Sequence, residues 1–98
     1  MAVIGFILLN AETGKEHEVQ EALSGIDELS DRYALRGLST PKEHSTRYGY
    51  DFLVIIHSTD STALERFVIN RIEPIPGIVG IKTVLGMSFT IKLPSSTL

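Results

Sequence analysis

The sequence predicts an α+β domain in which a four-stranded antiparallel sheet carries two helices, and three observations predict it. Residues 3–9 and 50–58 are apolar at nearly every position, residues 27–36 and 78–90 alternate, and a helical apolar stripe follows each of the two apolar runs. A short, wholly apolar run suits a strand covered on both faces, whereas alternation marks a strand with one buried face.

The first strand spans residues 3–9. Thr13-Gly14-Lys15-Glu16 then matches a capping box, in which the Thr13 hydroxyl and the Glu16 carboxylate satisfy free amides at a helix start. The helix runs to about Ser24, with Val19, Ala22 and Leu23 forming one buried stripe and Gly25 placed to take a left-handed cap. The second strand covers residues 27–36, with Leu29, Tyr33 and Leu35 expected on its buried face.

Residues 37–48 are polar, contain a proline and show no periodicity, so they are expected to form a long flexible or protruding loop. The third strand, residues 50–58, is rich in aromatic and β-branched side chains. Asp60 suits the N-cap of a helix over residues 61–72, whose stripe is Leu64, Phe67, Val68 and Ile72. Pro74 and the Pro76-Gly77 turn stop it. The last strand covers residues 78–90, with Val79, Ile81, Thr83 and Leu85 alternating and a break expected at Gly86. From about residue 94 onward the chain reads as a loose tail.

The order βαββαβ is the ferredoxin-like arrangement. In it strands one and three lie in the middle of the sheet and strands two and four at its edges, which agrees with the two apolar and two alternating patterns. Two helices cover only one face of such a sheet, yet both central strands present apolar side chains to both faces. An exposed apolar face of that size invites association, and a symmetric homodimer packed sheet against sheet, a dimeric α/β barrel, is the economical way to bury it.

Bulk properties narrow the function. Ninety-eight residues make one domain, and 43% hydrophobic with 21% charged residues is a globular composition. With no cysteine there is no disulfide or thiolate metal site, and a cytoplasmic protein is the natural reading. The net charge is −3 and the nine Lys and Arg residues are scattered, so direct nucleic-acid binding is disfavoured. No segment is long enough for a membrane helix. His17, His44 and His57 show no metal-ligand spacing, and no phosphate-binding or nucleophile-elbow motif is present, so no cofactor and no catalytic residue is predicted.

The stretches GKEHEVQEALSGIDELSDRYALRG, YDFLVII, TDSTALERFV and IPGIVGIKTVL, in this order and spacing, resemble the effector-binding (RAM) domain of the Lrp/AsnC transcriptional regulators, over the chain to about Phe89. The family joins a DNA-binding helix-turn-helix domain to this module, which dimerises, assembles further into octamer-like rings and binds amino acids between dimers. Here the module begins within a few residues of Met1, so the resemblance implies a stand-alone version with a regulatory role and no DNA-binding half of its own.

The resemblance also implies an effector site at Gly49, Tyr50 and Asp51 before the third strand, Asp60 before the second helix, and Thr83 on the last strand. A carboxylate can pair an amino acid's ammonium, while backbone amides and a hydroxyl can hold its carboxylate. The family usually joins its second and third strands by a tight turn. The long insertion here leaves both Gly37 and Gly49 as equivalents of its glycine, and brings in Lys42, His44 and Arg47. Each proposed residue also has an ordinary structural reading: Asp51 as a turn residue, Asp60 as an N-cap, Thr83 as a β-former.

Two other functions fit the same topology. One is a dimeric α/β-barrel enzyme of the monooxygenase kind, for which Tyr33, Tyr50, Asp51 and His57 would have to converge. The other is a ligand-free assembly partner of a helix-turn-helix paralogue.

Overall fold

The computed structural model describes residues 2–36 and 49–89. The predicted long loop, with Gly37, Lys42, His44 and Arg47, and the predicted tail lie outside the described residues. Strands β1 (Val3–Ala11), β2 (Leu29–Ala34), β3 (Phe52–Ser58) and β4 (Ile78–Gly86) form one sheet in the order β2-β3-β1-β4. Every neighbouring pair is antiparallel. Helix α1 (Glu16–Ser24) follows β1, and α2 (Ser61–Phe67) follows β3. This is the ferredoxin-like topology, with the two apolar strands at the centre.

One face of the sheet holds the core. Ile7, Leu9, Phe52, Val54 and Ile56 point to it from β1 and β3, and α1 and α2 cover them with Val19, Leu23 and Leu64. Gly5 lies on this face because α2 comes too close for a side chain: a Cβ added there would overlap Leu64 Cδ1. Asp60 caps α2 as expected, its Oδ1 accepting the Ala63 amide hydrogen at 2.8 Å. The helix continues as a π-helical turn, Val68–Ile72, in which the Glu73 amide donates to the Val68 carbonyl five residues back. The wider turn keeps both Val68 and Ile72 buried.

Four local expectations need correction. The Thr13 cap is not made: α1 starts with Lys15 in the cap position and no side-chain cap, because Gly14 turns the chain with φ 91° and moves the helix start past Thr13. Glu16 Oε1 instead accepts the Gly14 amide hydrogen at 2.7 Å. Gly25 is right-handed, with φ −85°, and bonds back to the Ala22 carbonyl. The last strand stops at Gly86, the place of the expected break, and does not resume over residues 87–89.

The fourth correction concerns β2. Leu29 is buried opposite Ile56, but a register shift between Leu29 and Asp31 turns the rest of the strand over. Tyr33 therefore pairs with Leu53 on the opposite face and is 51% exposed. A single extra residue exchanges the two faces of everything beyond it.

Candidate functional site

Among the described residues no helix covers the sheet's second face. The ladders align its side chains in rows: Tyr33, Leu53, Leu8 and Lys82 in one, and Asp31, Ile55, Phe6 and Val84 in the next. Ile4 and His57 follow in a third row. Its middle is thus Ile4, Phe6, Leu8, Leu53 and Ile55, all partly exposed, with polar residues on the edge strands. Phe6 packs against Gly86, where an added Cβ would come within 2.8 Å of its ring. The alternation of buried and half-buried positions along β1 and β3 records one side covered by helices and one side bare.

At one end of this face stands Asp51, directly before β3. Its Oδ2 accepts the Ala11 amide hydrogen at 2.8 Å, just where the β1–β4 register shifts between Asn10 and Ala11. Its own amide donates to the Leu9 carbonyl and its carbonyl accepts from Leu35, each at 2.8 Å. The β1–β3 ladder ends at Leu9 and Phe52, so the Asp51 side chain supplies the acceptor that the Ala11 amide meets beyond it. Gly49 is exposed beside it and Tyr50 is half-buried.

The other sequence-predicted residues lie elsewhere on the same chain. Asp60 is beyond the far end of β3, with seven strand residues between it and Asp51, or roughly 20 Å at the usual rise. Thr83 pairs with Ile7 on edge strand β4, on the helix-bearing face, and is exposed. One protomer therefore gathers Gly49, Tyr50 and Asp51, and leaves Asp60 and Thr83 apart from them.

Between α1 and β2 runs a cleft of about 240 Å³, lined by Gln20, Leu23, Ser24, Arg32 and Phe52 among others. Arg32 fixes its wall: Nε donates to the Leu23 carbonyl at 2.9 Å and Nη2 to the Ile26 carbonyl. A cation thus caps the C-terminal end of α1, where unpaired carbonyls concentrate negative potential. Neither this bond nor the one from Ala11 to Asp51 has a sequence signal, since both depend on how elements are placed against one another and not on a local pattern. Of Tyr33, Tyr50, Asp51 and His57, the set an oxidative enzyme would need, only Tyr33 borders the cleft.

Close to the connection between α1 and β2 the Arg71 guanidinium donates to Glu28 Oε2 at 2.6 Å and lies 5.8 Å from the Phe67 ring centre. The bond to Arg71 comes first among the causes that lower the Glu28 pKa. Among the described residues there is no cluster of three metal-ligating side chains, and no helix is long and apolar enough to cross a membrane.

These features define an α+β domain of ferredoxin-like topology, its sheet covered by helices on one face and bare on the other among the described residues. Solved structures similar to it include FFRP-DM1, 27% identical, with a TM-score of 0.69 and covering 87% of this chain and 99% of that one. AsnC of E. coli is 19% identical at a TM-score of 0.71, covering 94% of this chain and 55% of its own. The transcriptional regulator NMB0573 of Neisseria meningitidis, solved as an L-Met complex, is 19% identical at 0.68, covering 98% and 59%. This chain thus spans somewhat more than half the length of the two larger regulators. No family model matches the sequence, and no curated protein does. The likeness that the sequence motifs carry to the Lrp/AsnC effector-binding domain is therefore a likeness of fold as well.

Proposed function

We propose that this chain is an effector-binding and oligomerising module with a regulatory role, a homodimer assembled sheet against sheet that takes an amino acid or similar small polar metabolite between subunits. The bare apolar face carries the reading: Phe6, Leu8, Leu53 and Ile55 form a contiguous patch at the centre of the sheet, and such a patch on a small protein marks an interface. The fold shared with regulators, one of them solved with L-Met, supports the effector half.

Gly49, Tyr50 and Asp51 form the ammonium-holding side of the proposed site, because only one Asp51 oxygen is taken by Ala11. Asp60 and Thr83 reach such a ligand only from another copy, in the dimer or in a larger ring, so the reading requires assembly. Direct DNA contact is not part of it, since the chain has 12 acidic and nine scattered basic residues.

Sedimentation over a range of concentrations, joined to a thermal-shift screen of the twenty amino acids, tests both halves. A dimer or larger assembly, stabilised by one or a few amino acids, is expected. A monomer at all concentrations overturns the assembly, and no shift at millimolar ligand overturns the sensing.

A further inference from the structure

The open face carries a charge pattern that selects how two copies stack. Asp31 projects from it on edge strand β2 and Lys82 on edge strand β4, one row apart. Both are exposed, and among the described residues neither has an ion-pair partner. The central strands between them are apolar apart from the ends. A positive edge, a negative edge and an apolar middle is a polarised surface.

Two facing sheets related by a two-fold axis have two simple arrangements. An axis lying across the strands places β2 over the partner's β2 and β4 over the partner's β4, which sets like charges against each other on both edges. An axis running along the strands places β2 over the partner's β4 and keeps each row over the same row. Like charges brought together at a desolvated interface are costly, and opposite ones favour the pairing.

We propose that the two-fold axis runs along the strands, so that Asp31 of each protomer pairs with the partner's Lys82 while the Tyr33 ring lies against the same ammonium. Facing sheets lie about 10 Å apart, and adjacent rows on one face about 7 Å apart along the strand. An aspartate and an extended lysine span that offset. Tyr33 is in the Lys82 row, directly opposite the partner's Lys82 in this arrangement, which suits a cation held over an aromatic face. The same geometry explains why the β2 bulge is useful: by turning the strand over after Leu29 it delivers Asp31 and Tyr33 to the open face. The pairing rests on the dimer proposed above and specifies its polarity.

Zero-length carbodiimide coupling of the wild-type protein, read by denaturing electrophoresis and peptide mass spectrometry, tests it. Within one protomer Asp31 and Lys82 stand on opposite edges of a four-stranded sheet, about 14 Å apart at the usual strand spacing, too far for an amide to join them. A peptide linking the two must come from two copies. Dimer-sized product with the Asp31–Lys82 linkage is expected.

Charge reversal supplies the second arm. Asp31→Lys and Lys82→Asp should each weaken the dimer roughly tenfold, and the double variant should restore most of it. A wild-type dimer that shows no such linkage, or whose affinity ignores the single reversals, overturns this polarity while leaving the dimer standing. A wild-type monomer overturns the dimer itself.

Discussion

Asp51 and Ala11 are joined across forty residues of sequence by a 2.8 Å bond in which the Ala11 amide donates to the Asp51 carboxylate. The bond stands just past the Leu9–Phe52 pair that ends the β1–β3 ladder, so the carboxylate takes over where that ladder stops. Removing the carboxylate leaves that amide without a partner in a part-buried place, and Asp51→Ala should cost about 1–3 kcal/mol of stability. Asp51→Asn keeps an oxygen in place and should cost less. Urea denaturation of the two variants checks this, and equal losses would show that the bond to Ala11 contributes little.

The same residue is proposed to hold an effector's ammonium, so the two roles must be measured apart. Because Asp51→Asn keeps an acceptor for the Ala11 amide but removes the charge, it should lose affinity for an amino acid while keeping most of its stability. A charge-assisted hydrogen bond of this kind is worth about 1.5–3 kcal/mol, or roughly ten- to a hundredfold in Kd. Calorimetric titration of Asp51→Asn with whichever amino acid stabilises the wild type gives the answer. An unchanged Kd would take Asp51 out of the site.

At Gly5 the limit is space. A methyl there would run into Leu64 Cδ1 and press within 3.2 Å of Ile56 Cγ2, so Gly5→Ala should destabilise by about 1–3 kcal/mol through overpacking. Leu64→Ala should also destabilise, by about 2–5 kcal/mol for a buried leucine. Since the new methyl partly fills the vacancy left by Leu64, the double variant should be more stable than the sum of the two losses implies. Strict additivity in thermal melts would mean that α2 shifts away rather than clashing.

The contrast between these residues and the ones the sequence made legible is physical. The apolar runs of β1 and β3 and the stripe Leu64, Val68 and Ile72 announce themselves because burial sets residue type position by position. That is enough for the strand order and for the bare face. Alternation alone puts Tyr33 on the buried face, because a bulge leaves no mark on hydrophobicity while it exchanges the two faces of the strand. Thr13 looked like a cap because the capping pattern is present, but Gly14 spends those residues on a turn. The resemblance marks Asp51 as a ligand candidate, whereas its bond to Ala11 depends on register across the sheet, which no local pattern encodes. Asp60 was legible in its structural role because capping is local, and its proposed ligand role requires a second copy that one sequence does not describe.

Glu28 and Arg71 tie the loop before β2 to the end of the second helix, and their bond makes a pH prediction. Arg71 holds the Glu28 carboxyl below its ordinary pKa. A folded-state pKa lowered below the unfolded one means that the unfolded chain binds the proton more readily. The resulting stabilisation is fully present above the unfolded glutamate pKa and is lost as pH falls through the folded one. Both groups are about half exposed, so salt should weaken the effect. Melting the wild type and Glu28→Gln from neutral to strongly acid pH should show a gap that closes in acid. A gap independent of pH would mean that the charge on Glu28 has no part in it.

The bare face makes the most direct prediction about assembly. Ile55 lies in the middle of it, between Phe6 on β1 and Asp31 on β2, and it faces away from the helix-covered core. A charge at its position does not disturb the packing of Ile7, Val54 and Leu64, so Ile55→Asp should keep the fold. In a dimer the same charge would be buried without a partner, and an unpaired charge in an interface costs several kcal/mol. Ile55→Asp should therefore shift the protein to monomer at concentrations where the wild type is dimeric, with an unchanged far-ultraviolet circular dichroism spectrum. Sedimentation of the two side by side is the check. A variant that remains as associated as the wild type would move the interface off this face, and one that unfolds as a monomer would show that the core depends on residues of both faces.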